Sequence, residues 1–75
     1  MISLKYLTYV VALARHGHFG EASEQLHITQ SGLSQGIAAL ERELGVRLFD
    51  RDRNGARITA AGQLVIDREI GRAHV

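Results

Sequence analysis

Residues 29 to 37 read TQSGLSQGI, a run of uncharged hydrogen-bonding side chains with no Asp, Glu, Lys or Arg among them. Gln30, Ser31, Ser34 and Gln35 each carry both donors and acceptors. A Gln amide can pair bidentately with adenine or meet another base edge, and a Ser hydroxyl can bond a base or a phosphate. A second set of candidates follows in RLFDRDRNGARIT, where four arginines (47, 51, 53 and 57) stand against Asp50 and Asp52. His16 and His18 lie two residues apart with His27 further on, yet no third ligand stands at a suitable spacing, so no metal site is expected. No nucleophile, base and orienting group fall together, which argues against an enzyme, and no cofactor is implied.

Side chains of this kind work only if something holds them still, and the surrounding pattern is helical. Ser3 followed by Leu4, Leu7, Val10, Val11 and Ala14 gives an N-cap and a spacing of three or four residues. That predicts an amphipathic helix from about Leu4 to Arg15, stopped by Gly17. A shorter helix is expected from about Gly20 to Leu26, with Ala22 and Leu26 inward. Thr29 then caps a third helix, in which Leu33, Ile37, Leu40 and Leu44 form one buried stripe. Gly45 ends it, with Val46 expected to fold back onto Leu40.

The stripe leaves Ser31, Gln35, Ala38 and Arg42 on the opposite face, with Gln30 and Ser34 beside them. Free N–H groups at that helix tip also favour a phosphate. Gly32 and Gly36 each cost a helix about 0.8–1 kcal/mol relative to Ala, so each needs a reason. Close helix-to-helix contact is the expected one at Gly36. Arg42 suits either a phosphate contact or a surface pair along the helix. The connection His27-Ile28 is short enough to force a steep crossing, the helix-turn-helix arrangement, whose second helix enters the major groove.

Beyond it, Asn54-Gly55 is the expected centre of a two-residue hairpin turn, flanked by strands at roughly Phe49 to Arg53 and Ala56 to Ile58. Thr59 caps a fourth helix carrying Ala61, Leu64 and Val65. Arg51 is expected to pair with a helix carboxylate, and Arg53, beside the turn, to be the better DNA contact. The expected order is three helices, a β-hairpin and the start of a fourth helix, so the fold class is mainly α.

Length and composition bound these readings. Seventy-five residues make one small domain, and the absence of cysteine excludes disulfides and thiolate zinc sites. No apolar run reaches the roughly 20 residues of a membrane span, so no membrane partner is expected. The N-terminal stretch lacks a signal-peptide cleavage site. A net charge of +1 announces no partner; its local distribution does. A winged helix can also dock on protein, but the exposed face of the third helix offers no aromatic or large apolar anchor.

The stretch FGEASEQLHITQSGLSQGIAALERELGVRLFDRDRNGARITAAG resembles the N-terminal DNA-binding domain of the LysR-type transcriptional regulators. The matching residues are Phe19, Ala22, Leu26, TQS, Leu33-Ser34, Ile37, Ala39 to Glu41, Glu43 to Arg51, Thr59 and Ala61-Gly62, within residues 3 to 66. The resemblance implies a winged helix-turn-helix (three helices, a short β-hairpin wing and the start of a fourth, linker helix) in a bacterial or archaeal regulator that binds promoter DNA as a dimer or tetramer, in the cytoplasm at the nucleoid. It implies DNA contacts by Thr29, Gln30, Ser31, Ser34, Gln35, Ala38 and Arg42, with Arg51 and Arg53 from a wing that reaches the minor groove or the phosphates. It also implies a homodimer built on the first and fourth helices, and a small-molecule effector acting only through a separate C-terminal domain.

Three departures from the family pattern stand out: Ser23 and Gly32 stand where Ala is usual, and Gln35-Gly36 where Arg-Gln is frequent. The expected division is residues 1–66 as the DNA-binding domain with the start of the linker helix, and 67–75 as a truncated tail. IGRAHV resembles a translated sequencing adapter, so residues from about Ile70 onward are expected to be non-native, with a weaker dimer as the consequence.

Overall fold

A computed structural model describes residues 3–73, with side chains through Gly71. The order is α1 (Leu4–His16), α2 (Phe19–Leu26), α3 (Gln30–Leu44), β1 (Phe49–Asp52), β2 (Gly55–Ile58) and α4 (Ala60–Ala73). The winged helix-turn-helix expected from the sequence is the fold observed.

Local caps set most of the helix ends. The Ser3 hydroxyl accepts from the Tyr6 amide at 3.3 Å, Thr29 from Gly32 at 2.9 Å, and Thr59 from Gly62 at 3.0 Å. α1 and α3 stop at left-handed Gly17 and Gly45. α2 begins one residue earlier than expected, at Phe19, and closes on His27 with a positive φ of 58°. Ser23, the unusual residue here, is buried, and its hydroxyl donates to the Gly20 carbonyl at 2.9 Å. The hydroxyl therefore enters the core with its partner included.

The core is Val10, Ala12 and Leu13 from α1, Ala22 from α2, and Leu33, Ile37 and Leu40 from α3, closed by Leu48, Phe49, Ala56 and Ile66. Two expected members are absent. Leu44 and Val46 are each 39% exposed. Gly45 donates to the Glu41 carbonyl in the single-bond left-handed cap, which does not bring the following residue back over the helix. Leu48 and Phe49, both fully buried, are the core residues that follow the helix instead. In α4, Gly62 and Ile66 face inward while Leu64 points to solvent. α4 continues through Ile70 and Gly71, and the last two residues of IGRAHV, 74 and 75, lie outside the described residues.

The wing corrects a second expectation. Its register pairs Phe49 with Ile58, Asp50 with Arg57, Arg51 with Ala56 and Asp52 with Gly55, so the turn is centred on Arg53-Asn54, not Asn54-Gly55. The Asp52 carboxylate accepts from the Asn54 amide at 2.8 Å, and this side-chain turn sets the reversal one residue early. Gly55 has another task. Its φ is 134°, and a Cβ there would lie 2.1 Å from the Gly17 carbonyl oxygen, which accepts from the Ala56 amide at 2.8 Å. The tip end of the wing thus hangs on the α1–α2 turn.

Gly55→Ala is expected to cost about 2–4 kcal/mol, from backbone strain plus loss of that contact. Gly45→Ala, with nothing within 4 Å, carries only the left-handed penalty of about 1–2 kcal/mol. Thermal unfolding of the two variants compares them, and equal losses would mean that the start of β2 is not held against Gly17.

Candidate nucleic-acid interface

The face of α3 opposite the core is polar and open. Gln30, Ser31, Gln35 and Arg42 are exposed, and Ser34 and Ala38 are half-buried between them and the core. No carboxylate stands on α3 before Glu41. Thr29 spends its hydroxyl on the cap to Gly32, and the Leu33 amide donates to the Thr29 carbonyl. The amides of Gln30 and Ser31, in the first turn, have no backbone acceptor among the described residues and remain for an anion. The Gln30 amide nitrogen lies 3.3 Å from where a Cβ on Gly20 would sit, so this side chain occupies the seam between α3 and the start of α2.

α1 holds the helix from behind. A Cβ on Gly36 would fall 2.8 Å from the Tyr9 ring, which confirms Gly36 as the point of close helix contact. Tyr9 in turn meets Tyr6 edge to face, with centroids 5.9 Å apart.

The Glu41 carboxylate fixes the wing relative to α3. One of its oxygens accepts from the amides of Leu48 at 2.7 Å and Phe49 at 3.2 Å. Sequence reasoning matched Glu41 to a family pattern but assigned it no task, because its partners stand seven and eight residues away. Its orientation also explains a correction at Arg51. The Arg51 guanidinium has no carboxylate partner among the described residues; it lies over the Phe19 ring, 4.7 Å from the centroid. With Glu41 turned inward, the aromatic face at the start of α2 is its neighbour, and the contact ties β1 to the helix-turn-helix.

At the wing tip Arg53 is exposed and unpaired among the described residues, whereas Arg57 meets Asp52 at 3.3 Å. Arg42 forms no ion pair among the described residues either, which removes the surface-pair reading of that residue. The histidines do not gather: His16 contacts Glu21 and Gln25 of α2, and no group of three potential metal ligands forms among the described residues. Residues missed by sequence reasoning are Lys5, Tyr6 and Tyr9 of α1, which line a groove with Gln35 and Arg42. Their only signal was a polar and aromatic strip at positions 5, 6 and 9, off the apolar face of α1.

Comparison with known proteins agrees with this geometry. Residues 4–63 match the family model for bacterial regulatory helix-turn-helix proteins of the lysR family. The chain is 42% identical over 66 residues to the HTH-type transcriptional regulator TfdT of Cupriavidus pinatubonensis, covering 88% of this chain and 29% of that protein. It is 46% identical over 67 residues to the SDS degradation transcriptional activation protein of a Pseudomonas species, covering 89% of this chain and 22% of that protein. Among solved structures it superposes on the CbnR DBD–DNA complex with a TM-score of 0.87 and 32% identity, over 97% of this chain and 86% of that one. The BenM DBD/benA site 1 DNA complex gives the same TM-score and identity, with 85% of that chain covered.

Removing the Glu41 carboxylate tests how the wing is held. Glu41→Ala leaves two buried amides without an acceptor, an expected loss of about 2–3 kcal/mol. Glu41→Gln keeps a neutral acceptor and should lose about half as much. Amide exchange at Leu48 and Phe49 should accelerate in the same order, and unchanged exchange would refute the assignment.

Proposed function

This chain belongs to the lysR family of bacterial regulatory helix-turn-helix proteins, and from that premise we propose that it reads double-stranded DNA to regulate transcription. The family is one of regulators, so the polar surface serves recognition and not catalysis. The observation that carries the proposal is the exposed, carboxylate-free face of α3. An α-helix with its side chains is about 10–12 Å across and fits a major groove about 12 Å wide. Placed there by its N-terminal end, α3 presents Gln30, Ser31, Ser34 and Gln35 to base edges, and the free amides of its first turn to a phosphate.

Ala38 offers its methyl to a thymine, and Arg42 meets a phosphate farther along the helix. Arg53 at the wing tip reaches the adjacent phosphates or minor groove, with Arg51 steadying the wing from Phe19. Thr29 acts through the cap that orients the helix tip. The protein would work in the bacterial cytoplasm, at the nucleoid.

The chain spans 29% and 22% of the two curated relatives described above, so the wider regulator enters as part of the proposal. Residues 1–66 form the DNA-binding domain with the start of the linker helix, and effector response belongs to a separate domain. Leu4 on α1 and Leu64 on α4 are 76% and 57% exposed, which supplies apolar surface for pairing two copies through these helices. Pairing would let two half-sites be engaged together, a gain on the order of 10²–10⁴ in affinity.

Binding-site selection, followed by titration of variants on the selected duplex, tests the reading. Gln30→Ala should weaken binding by about 1–3 kcal/mol and flatten preference at one base position. Uniform weakening on all sequences would move Gln30 to the backbone. Arg53→Ala should weaken specific and nonspecific binding alike and lower the salt slope by about one unit, through one fewer released counterion. An unchanged slope would show that Arg53 touches no phosphate. Failure of selection to enrich any sequence would overturn base reading altogether.

A further inference from the structure

Between α1 and α3 lies a groove of about 510 Å³ whose lining includes Lys5, Tyr6, Tyr9, Gln35 and Arg42. Its lining contains two cations and no carboxylate. Neither Lys5 nor Arg42 forms an ion pair among the described residues, and both are exposed. The groove exists because α3 lacks side chains where it passes α1. Gly32 and Gly36, one helical turn apart, both line it, and a Cβ on Gly36 would strike Tyr9. Two glycines that weaken the helix therefore open a basic channel along its flank.

The geometry points to this groove as a seat for the sugar-phosphate backbone of one DNA strand, with Lys5 of α1 and Arg42 of α3 as its two cations. The inference rests on the DNA-reading proposal for α3. A helix about as wide as the major groove touches the groove walls along its flanks, and those walls are phosphates. Gln35, Ala38 and Arg42 line the channel and also belong to the face that would meet bases, so a strand held in the channel runs directly beside them. α1 thereby becomes part of the interface. Lys5 supplies a point charge that follows a phosphate without demanding a fixed geometry, while the Arg42 guanidinium can grip two of its oxygens.

The test is the salt dependence of binding of the complete chain to duplex DNA, measured by fluorescence anisotropy. Lys5→Gln and Arg42→Gln should each lower the salt slope by about 0.9 unit, and the double variant by about twice that. Between 50 and 200 mM salt, each substitution should therefore narrow the gap in Kd from the parent by about 3–4-fold, on any sequence. Arg15→Gln, on a different face of α1 beside Leu26, is the control and should leave the slope unchanged. Thermal unfolding should be the same for all variants, since the replaced side chains are exposed.

A parent chain that binds duplex DNA while Lys5→Gln and Arg42→Gln keep its slope would overturn the seat and spare the DNA reading. A parent that binds no duplex would overturn both. Saturable binding of inorganic phosphate, followed by the amide resonances of Gln35 and Arg42, together with an unchanged DNA salt slope in both variants, would make the groove a small-anion site and refute the backbone assignment.

Discussion

The two hydrogen bonds accepted by the Glu41 carboxylate are the constraint on which the arrangement of the domain turns. Leu48 and Phe49 are fully buried side chains directly after a loop, and their amides would otherwise enter the core without partners. A single carboxylate oxygen of α3 takes both. The carbonyl side of Leu48 is served from the other direction. Its oxygen accepts from the Thr59 amide at 2.9 Å and from the Thr59 hydroxyl at 3.2 Å, while that hydroxyl also reaches the Arg47 carbonyl at 2.6 Å. α4 then closes on the same residue, because the missing side chain of Gly62 lets its backbone approach the Leu48 carbonyl. Helix, wing and linker helix meet at one peptide segment. The direction of the wing relative to α3 is set by hydrogen bonds, which are directional, more than by apolar contact, which is not.

That arrangement explains which features could be read from the chain in advance. Ser3, Thr29 and Thr59 act on amides three residues onward, and Gly17 and Gly45 act on their own backbone, so each could be recognised locally. The misplacements share a different cause. Leu44 continues the spacing of the apolar stripe, but periodicity cannot show that the core has already been closed by Leu48 and Phe49. Asn54-Gly55 has the composition of a turn centre, yet Gly55 is required one position later, where the start of β2 meets Gly17. Arg51 was matched to a carboxylate by charge, whereas the available neighbour was the Phe19 ring. In each case a contact between segments distant in sequence decided among locally acceptable alternatives.

The candidate interface divides along the same line. Its α3 half was visible because Gln and Ser without carboxylates at a helix start are a local compositional feature. The α1 half was not, since Lys5 and Tyr6 acquire meaning only when Tyr9 packs at Gly36 and brings the two helices side by side. Gly32 and Gly36 show why weak helix formers are tolerated there. Their cost in propensity is local, while the contact and the channel they open are tertiary.

Near-neutrality of the whole chain conceals a separation of charge. Four of the eight carboxylates have partners within the domain: Glu41 takes buried amides, Asp52 the Asn54 amide and Arg57, Glu21 His16, and Asp67 Gln63. The exposed pairs contribute little stability, while Lys5, Arg42 and Arg53 have no ion-pair partner among the described residues. A polyanion approaching within a Debye length, about 10 Å at 0.1 M salt, responds to those nearby cations and hardly to charges across the molecule. A net charge of +1 is therefore compatible with a basic binding face. That face carries no carboxylate on α3 before Glu41, and the groove beside it is lined by none at all.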